Sequence, residues 1–387
     1  MQDYLIETVL ENLFLCDTHF QSSERGITMK SLMLCLFVYL AATCPMDILH
    51  AQQEKEKTNY YNWANTPDVN KPVNNPNAKK LSLIHVLGNR FVNAHGDTIL
   101  FRGVAIADPD KLEQQGRWDR SLFVRLKEYG AMIVRIPVHP AAWRMRTPAK
   151  YLQLLDQAVD WCTELGMYVD LDWHSIGNLG MELFQNPEYV TTRQETYEFW
   201  RTISVHFRGN NTIAFYELFN EPTLYNGQLG SMSWSEWKKI NENIIHLIRA
   251  YDTEKIPLVA GLDWAYDLTP LHIEPIEAEG IGYVTHPYPH KRPKPYEPKW
   301  DEDFGFAASR YPVVATEFGF VLGGQGMAEN GEYGKEIIHY LEDRGISWIT
   351  WVFDPDWYPR LIESWSPFKL TESGEFFRQA MQGKIPR

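Results

Sequence analysis

The stretch Ile213-Ala214-Phe215-Tyr216-Glu217-Leu218-Phe219-Asn220-Glu221-Pro222 decides how the rest of this 387-residue chain is read. Six of its first seven residues are apolar or aromatic, a run of buried-strand length, and Gly209-Asn210-Asn211 bounds it upstream. Pro222 cannot donate the next backbone hydrogen bond, so the run stops on Asn220 and Glu221. An amide and a carboxyl therefore stand where a core strand ends. In a closed barrel of parallel strands, the C-terminal rim is where chemistry is done. Glu221 becomes a candidate catalytic acid, and the rest of the chain must supply its partner.

Outward from this run the chain alternates. Candidate strands precede it at 101–106, 131–136 and 168–172, and follow it at 257–260, 282–285, 312–316 and 346–350. Helical patterns lie between them at 122–129, 149–165, 192–207, 233–251, 301–310 and 333–343, with a final one at 371–381 and a weaker one after Ala265. Gly166 is a stop signal, and Ser233 with Glu236 has the spacing of a capping box. His95-Gly96-Asp97, between 90–93 and 98–101, predicts a hairpin suited to plug the bottom of a barrel. Eight strand-and-helix units over about 300 residues predict an α/β protein, a (β/α)8 TIM barrel with a short N-terminal β-hairpin. A doubly wound sheet would place a Gly-rich phosphate turn after its first strand, and the chain has none.

A hydrophobic content of 44% is ample for one large core. The net charge of −13, with no run of Lys or Arg, argues against a nucleic-acid partner. The 14 Trp and 20 Tyr exceed what a core demands, and the excess fits a site that grips something flat and hydroxylated.

Residues 1–51 read as an N-terminal extension and signal peptide, with Met29 as the expected start. The apolar run 32–42 after Lys30 is shorter than the about 20 residues of a membrane span and suits a bacterial-type secretory signal, so a secreted or periplasmic protein without a stable membrane span is expected. Cleavage after Ala51 is preferred to a lipoprotein box at Ala41-Ala42-Thr43-Cys44, whose Thr fits poorly before a lipid-anchored Cys44. Residues 52–80 are polar and read as a disordered linker, leaving 81–387 as the catalytic domain. Cys16, Cys35 and Cys44 fall in or before the signal, so Cys162 is expected as a lone core residue and a cysteine metal site is excluded.

Polar residues at the strand ends share one rim. They are Arg135, His174, Asn220, Glu221, His286, Tyr288, Glu317 and Trp351. Singly each has a bland alternative: a structural ion pair for Arg135, an ordinary loop for His286, a core cap for Trp351. Together, at one end of their strands, they form a cavity. Glu221 and Glu317 end the fourth and seventh strands and can face each other across a bound chain. Glycoside hydrolysis needs two such carboxyls, about 5–5.5 Å apart for retention of configuration and about 6.5–9.5 Å for inversion. A metal-dependent hydrolase would need more ligands than His139, His174 and Asp172 supply, so neither metal nor cofactor is expected.

Asn220-Glu221-Pro222 with Glu317-Phe318-Gly319 downstream resembles glycoside hydrolase family 5, the cellulase family of the retaining (β/α)8 clan. Val134-Arg135-Ile136-Pro137, Asp172-Trp173-His174, His286-Pro287-Tyr288 and Trp351 each match a family motif in order, over about 101–351. Gly103-Val104-Ala105 departs from the Gly-Val-Asn often found there, which bears on the outermost subsites. The resemblance implies that Glu221 is the acid/base, its pKa raised by Glu317, and that Glu317 is the nucleophile, kept anionic by Arg135 and Tyr288. It further implies that Asn220 binds the sugar 2-hydroxyl, that His174 and His286 orient hydroxyls and Glu221, and that Trp351 is the floor of the −1 subsite. Trp143, Trp173, Trp264 and Trp357 lie in loops after strand ends and are candidates for outer subsites, with core packing the alternative for each. Asp354 and Asp356 are candidates to bond sugars or face solvent.

The implied activity is a monomeric, retaining, endo-acting hydrolase of β-1,4-glucan, with a β-linked polysaccharide as its partner. The alternatives are an endo-β-mannanase or other hemicellulose hydrolase on the same scaffold, since substrate choice lives in loops, and a non-catalytic carbohydrate-binding barrel.

Overall fold

Eight parallel strands close on themselves in a computed structural model that describes residues 80–322, 328–329 and 332–385. They are β1 (Arg102–Ile106), β2 (Ile133–Val138), β3 (Tyr168–Trp173), β4 (Ile213–Glu217), β5 (Ile256–Ala260), β6 (Gly282–Thr285), β7 (Val313–Ala315) and β8 (Ser347–Phe353). Each pairs with its neighbours in sequence, and β8 pairs with β1, so the sheet has no edge. The expected (β/α)8 barrel is what forms. The expected signal segment, start site, lipid-anchor cysteine and linker fall at residues 1–79, outside the described residues.

Alternation along the strands builds two cores. Ala105, Ile133, Phe215, Leu258, Val284, Val314 and Ile349 belong to a cluster inside the barrel. Val104, Val134, Val169, Leu171, Tyr216 and Val259 belong to the larger one between sheet and helices. The same alternation places Arg135 two residues after Ile133, and Glu217 two after Phe215, so charged groups share the interior with the apolar ones.

The plug is present, and it carries two turns. The expected one forms at 93–97: the Asn93 side chain accepts from the His95 and Asp97 amides, the Asn93 amide donates to Asp97 O, and beyond it Val92 and Thr98 form an antiparallel bridge with the Ile99 amide donating to Phe91 O at 2.8 Å. Ahead of it, His85–Leu87 pairs antiparallel with Arg90–Val92 around Gly88 at φ 60°, a conformation suited to a two-residue hairpin turn. Phe91 packs 4.8 Å from Phe215 and 6.2 Å from Phe101. A Cβ at Gly282 would stand 2.8 Å from Leu258 Cδ2 and 3.2 Å from Phe91 Cζ, so a side chain there would crowd the plug.

The helices follow their caps. Ser233 and Glu236 form the expected capping box on Trp234–Arg249, Thr192 caps Arg193–His206, and Gly166 at φ 69° ends Pro148–Leu165. Two short helices not expected from periodicity, Pro109–Gln114 and Pro140–Arg146, start on proline. The weak fifth helix is not regular: only Leu262–Ala265 and a 3-10 turn at Thr269–His272 stand between β5 and β6. The expected helix at 301–310 begins earlier as Glu297–Asp303 and continues as a 3-10 turn, Gly305–Ser309. No helix among the described residues is long and apolar enough to cross a membrane.

The opening stretch also changes. β4 ends at Glu217, and Glu221–Pro222 instead pairs parallel with Ile176–Asn178, which pairs antiparallel with Leu183–Phe184. The Asn220 amide donates to Trp173 O and the Glu221 amide to Ser175 O, each at 3.1 Å. The carboxyl is thus fixed by the exit of β3 as well as by its own strand.

Candidate active site

Arg135 is the hub of the rim. Its Nε and Nη2 donate to the two Glu217 oxygens, each at 2.8 Å, a bidentate pair. Nη2 also donates to Asn220 Oδ1 at 2.7 Å and lies 3.0 Å from Asp172 Oδ2, while Nη1 donates to Glu317 Oε2 at 2.9 Å. One side chain of β2 therefore holds groups borne by β3, by β4 and its exit, and by the exit of β7. Arg135, Asp172, Glu217 and Asn220 are all fully buried.

Glu317 receives a second donor, the Tyr288 hydroxyl at 2.9 Å on Oε1. Glu221 Oε1 lies 2.9 Å from His286 Nδ1, and His286 Nε2 lies 3.0 Å from Thr316 Oγ1. Thr316 in turn donates to Glu217 Oε1 at 3.0 Å. A chain of contacts thus runs Arg135–Glu217–Thr316–His286–Glu221. An oxygen of Glu221, an oxygen of Glu317 and a nitrogen of His286 lie within 4.8 Å of one another. Those three groups are also a donor set of the kind that holds a divalent cation. Here the same atoms already serve Arg135, Tyr288 and the proton on His286, and a metal ligand must be a deprotonated imidazole.

Burial acts on every group here, and the partners decide the outcome. Burial opposes the Glu217 charge, yet Arg135 and His286 hold this carboxyl down to about 2. Burial likewise opposes a charge on His286, and the surrounding Glu317, Glu217 and Glu221 outweigh it, holding the ring up at about 8. Burial pushes Asp170 and Asp172 well above the carboxylate range, with Glu217 adding to the effect and Arg135 opposing it. Glu317 is also raised: burial is the main cause and Glu221 adds to it, against His286, Arg135 and Tyr288. The sequence led to an upward push on Glu221; the carboxyl raised by its surroundings is Glu317. His174 is held well below the usual imidazole value, first by burial and then by His139, Arg135 and His286. With its Nδ1 2.6 Å from Asp172 Oδ2, the neutral ring is left with Nε2 as an acceptor.

The charged groups of the rim are thus paired at contact distance, Arg135 with Glu217 and Glu317 and His286 with Glu221.

The cleft over these groups has a volume of about 860 Å³. Trp351 lies parallel to His174 at 5.2 Å and to Trp357 at 5.7 Å, forming an aromatic wall. Lys111 supports that wall: it pairs with buried Asp354 at 2.8 Å and with Asp356 at 3.0 Å, and stands 5.4 Å from the Trp357 ring centroid. Asp354 also accepts from the backbone amides of Asp356 and Trp357, so this aspartate shapes the loop. Trp264 lines the cleft at the opposite end, its Nε1 donating to Gln185 Oε1 at 3.2 Å. Trp143 and Trp173, expected as possible subsite residues, are core. Trp173 stacks on Phe199 at 4.1 Å and donates to Thr196, and Trp143 packs edge-on against Phe199 at 4.9 Å. Both belong to the core between sheet and helices, Trp173 from the end of β3 and Trp143 from the helix Pro140–Arg146.

Sequence reading missed Glu217, Thr316, Asp170, Tyr189, Gln185 and Lys291. Glu217 had a signal, being the one residue of seven to break the apolar run, and a buried charge requires a partner. Thr316 and Asp170 gave none beyond strand alternation. Tyr189, Gln185 and Lys291 line the cleft from loops, where no periodicity applies.

The model of the cellulase family, glycosyl hydrolase family 5, matches residues 92–356. Endoglucanase E-5 of Thermobifida fusca is 25% identical over 316 residues, covering 77% of this chain and 63% of that one. Endoglucanase MaCel5A of Microbulbifer sp. is 23% identical, covering 78% and 58%. The chain thus spans less than two thirds of the length of these curated relatives. Among solved structures, the β-glucanase SdGluc5_26A of Saccharophagus degradans is 45% identical with a TM-score of 0.79, covering 81% of this chain and 97% of that one. A structure of the same β-glucanase in complex with cellotetraose matches equally well, with a TM-score of 0.79 and coverage of 84% and 99%.

Proposed function

The chain belongs to glycosyl hydrolase family 5, and from that membership we propose that it hydrolyses β-1,4-glucan, within the chain and with retention of configuration. The observation that carries this reading is the pair of carboxyls, with oxygens within 4.8 Å across the rim. That spacing suits a covalent intermediate and is too short to seat a water molecule behind the sugar for direct displacement.

Glu317 is the nucleophile. Arg135 and Tyr288, each donating at 2.9 Å, stabilise its anion, and Glu221 on the facing side is the acid/base. In the first step a Glu317 oxygen attacks the anomeric carbon while Glu221 gives its proton to the departing glycosidic oxygen, and a glycosyl ester forms. In the second, Glu221 takes a proton from water, the water oxygen attacks the anomeric carbon, and the ester bond to Glu317 breaks. Asn220 Oδ1 is occupied by Arg135, whereas its buried Nδ2 has no partner and is free to donate to the sugar 2-hydroxyl. Trp351 is the stacking floor beneath the sugar, His174 Nε2 accepts from a hydroxyl, and Trp357 and Trp264 extend the grip in the two directions.

Parallel assay of residues 52–387 on carboxymethylcellulose, mixed-linkage glucan, xyloglucan, xylan and mannan tests the reading. Falling viscosity and β-configured new reducing ends from the β-glucans are expected. Release from mannan alone would replace the glucan assignment with the mannanase alternative. We further infer that the protein is exported to the periplasm or medium, supported by the apolar run 32–42 and the insoluble or polymeric nature of such a substrate.

A further inference from the structure

A second cavity of about 400 Å³ lies beside the catalytic cleft, and the two share Asp263 and Trp264. It begins at Pro222, the residue after Glu221, and is lined by Leu224, Tyr225, Asn226 and Leu262. The chain around it is strained. Tyr225, Asn226, Asp263, Trp264 and Ala265 have φ between 40° and 60°. They are five of the seven non-glycine residues in the left-handed region among those described, a conformation that persists where the surroundings over-determine it, commonly at ligand clamps.

The cavity walls suit a sugar. Tyr225 meets Trp264 edge-on, with centroids 6.3 Å apart. Trp264 is pinned by Gln185 on its indole nitrogen and by Lys291, whose Nζ is 4.8 Å from the ring centroid and donates to Asp263 O at 2.6 Å. Aromatic faces meet the C–H faces of a pyranose, and the exposed Asn226 and half-buried Tyr225, both lining the cavity, offer an amide and a hydroxyl to match its hydroxyls.

The direction follows from the chemistry. The acid that protonates the departing oxygen stands on the leaving-group side, and the backbone after Glu221 runs directly into this second cavity. We propose that the cavity behind Trp264 is a distal leaving-group subsite, holding a β-linked glucosyl unit beyond the one that rests on Trp264, with Tyr225 as its aromatic contact. This rests on the glucanase reading above.

The test is the cleavage register of cellohexaose labelled with ¹⁸O at its reducing end, read by mass spectrometry, with an aryl β-cellotrioside as the control. The aryl leaving group stops short of the cavity. Tyr225→Ala is expected to lower kcat/KM for cellohexaose by about tenfold, mainly through KM, and to shift cleavage toward shorter reducing-end fragments, with aryl cellotrioside turnover unchanged. Asn226→Gly, which keeps the left-handed backbone and removes only the amide, should move the register the same way. An unchanged register in both variants overturns the subsite, as does an equal loss on both substrates. Failure of the unmodified protein to cut any β-glucan would instead overturn the underlying activity.

Discussion

Replacing Glu217 with Gln isolates the charge at the heart of the rim while keeping its shape. In the folded protein this carboxyl is held at about 2, against an ordinary value of 4.5. A difference of that size contributes about 3 kcal/mol to folding at neutral pH. The sign is that of a depressed acid: the contribution is complete above the unfolded value of 4.5 and is lost as pH falls through about 2. Urea denaturation of both proteins from pH 7 down to pH 3 should therefore show Glu217→Gln less stable by about 3 kcal/mol at pH 7. The gap should shrink to about half or less at pH 3, as the unfolded-state carboxyl takes up its proton. The same change withdraws a negative charge that helps hold the His286 imidazolium. The alkaline limb of the activity profile, set in part by an imidazolium held at about 8, should accordingly move to lower pH. A gap that stays constant with pH, or an unmoved alkaline limb, would show that Arg135 and His286 do not depend on this anion.

Glu317→Ala should abolish hydrolysis, and added azide should restore turnover of an activated substrate as a glycosyl azide of inverted configuration; full activity in that variant would refute the nucleophile. Asn220→Ala should leave the fold intact and lower kcat by about 10- to 100-fold, the loss expected for one hydrogen bond that tightens in the transition state, measured on soluble glucan. Trp173→Ala, by contrast, should cost about 3–5 kcal/mol in denaturation because the ring is core. In the molecules that remain folded, KM should be unaltered.

The fold was legible because its signals are local. Eight apolar runs, each followed by a helical pattern or a stop residue, need no knowledge of contacts, and Ser233 with Glu236 marked a helix start that the structure keeps. Two features resisted for physical reasons. The segment between β5 and β6 turns through three left-handed residues, Asp263, Trp264 and Ala265, which no helical or strand period describes. The plug adds, ahead of the expected turn at 93–97, a second turn at Gly88 between strands of only three residues, too short to show an alternation. The candidate site was legible as a list of strand ends. What the list lacked was the layer beneath: Glu217, Asp170 and Asp172 sit on strands that otherwise read as core, and only closure of the barrel reveals that they share Arg135. The tryptophans divide the same way. Position after a strand made four of them equivalent, and packing against Phe199 of the helix layer separates Trp143 and Trp173 from Trp264 and Trp357, which line the cleft.

The pairing of charges at the rim has a consequence for how a polymer is admitted. The protein as a whole carries a net charge of −13, yet at its working surface Arg135 meets Glu217 and Glu317, His286 meets Glu221, and Lys111 meets Asp354 and Asp356, each at 3.0 Å or less. An uncharged glucan approaching such a surface displaces no ion atmosphere and feels no long-range pull. Its capture is governed by ring faces and hydroxyl geometry, and its rate should vary little between dilute buffer and brine, whereas a carboxymethylated chain would be repelled at low salt and admitted as salt screens the surface.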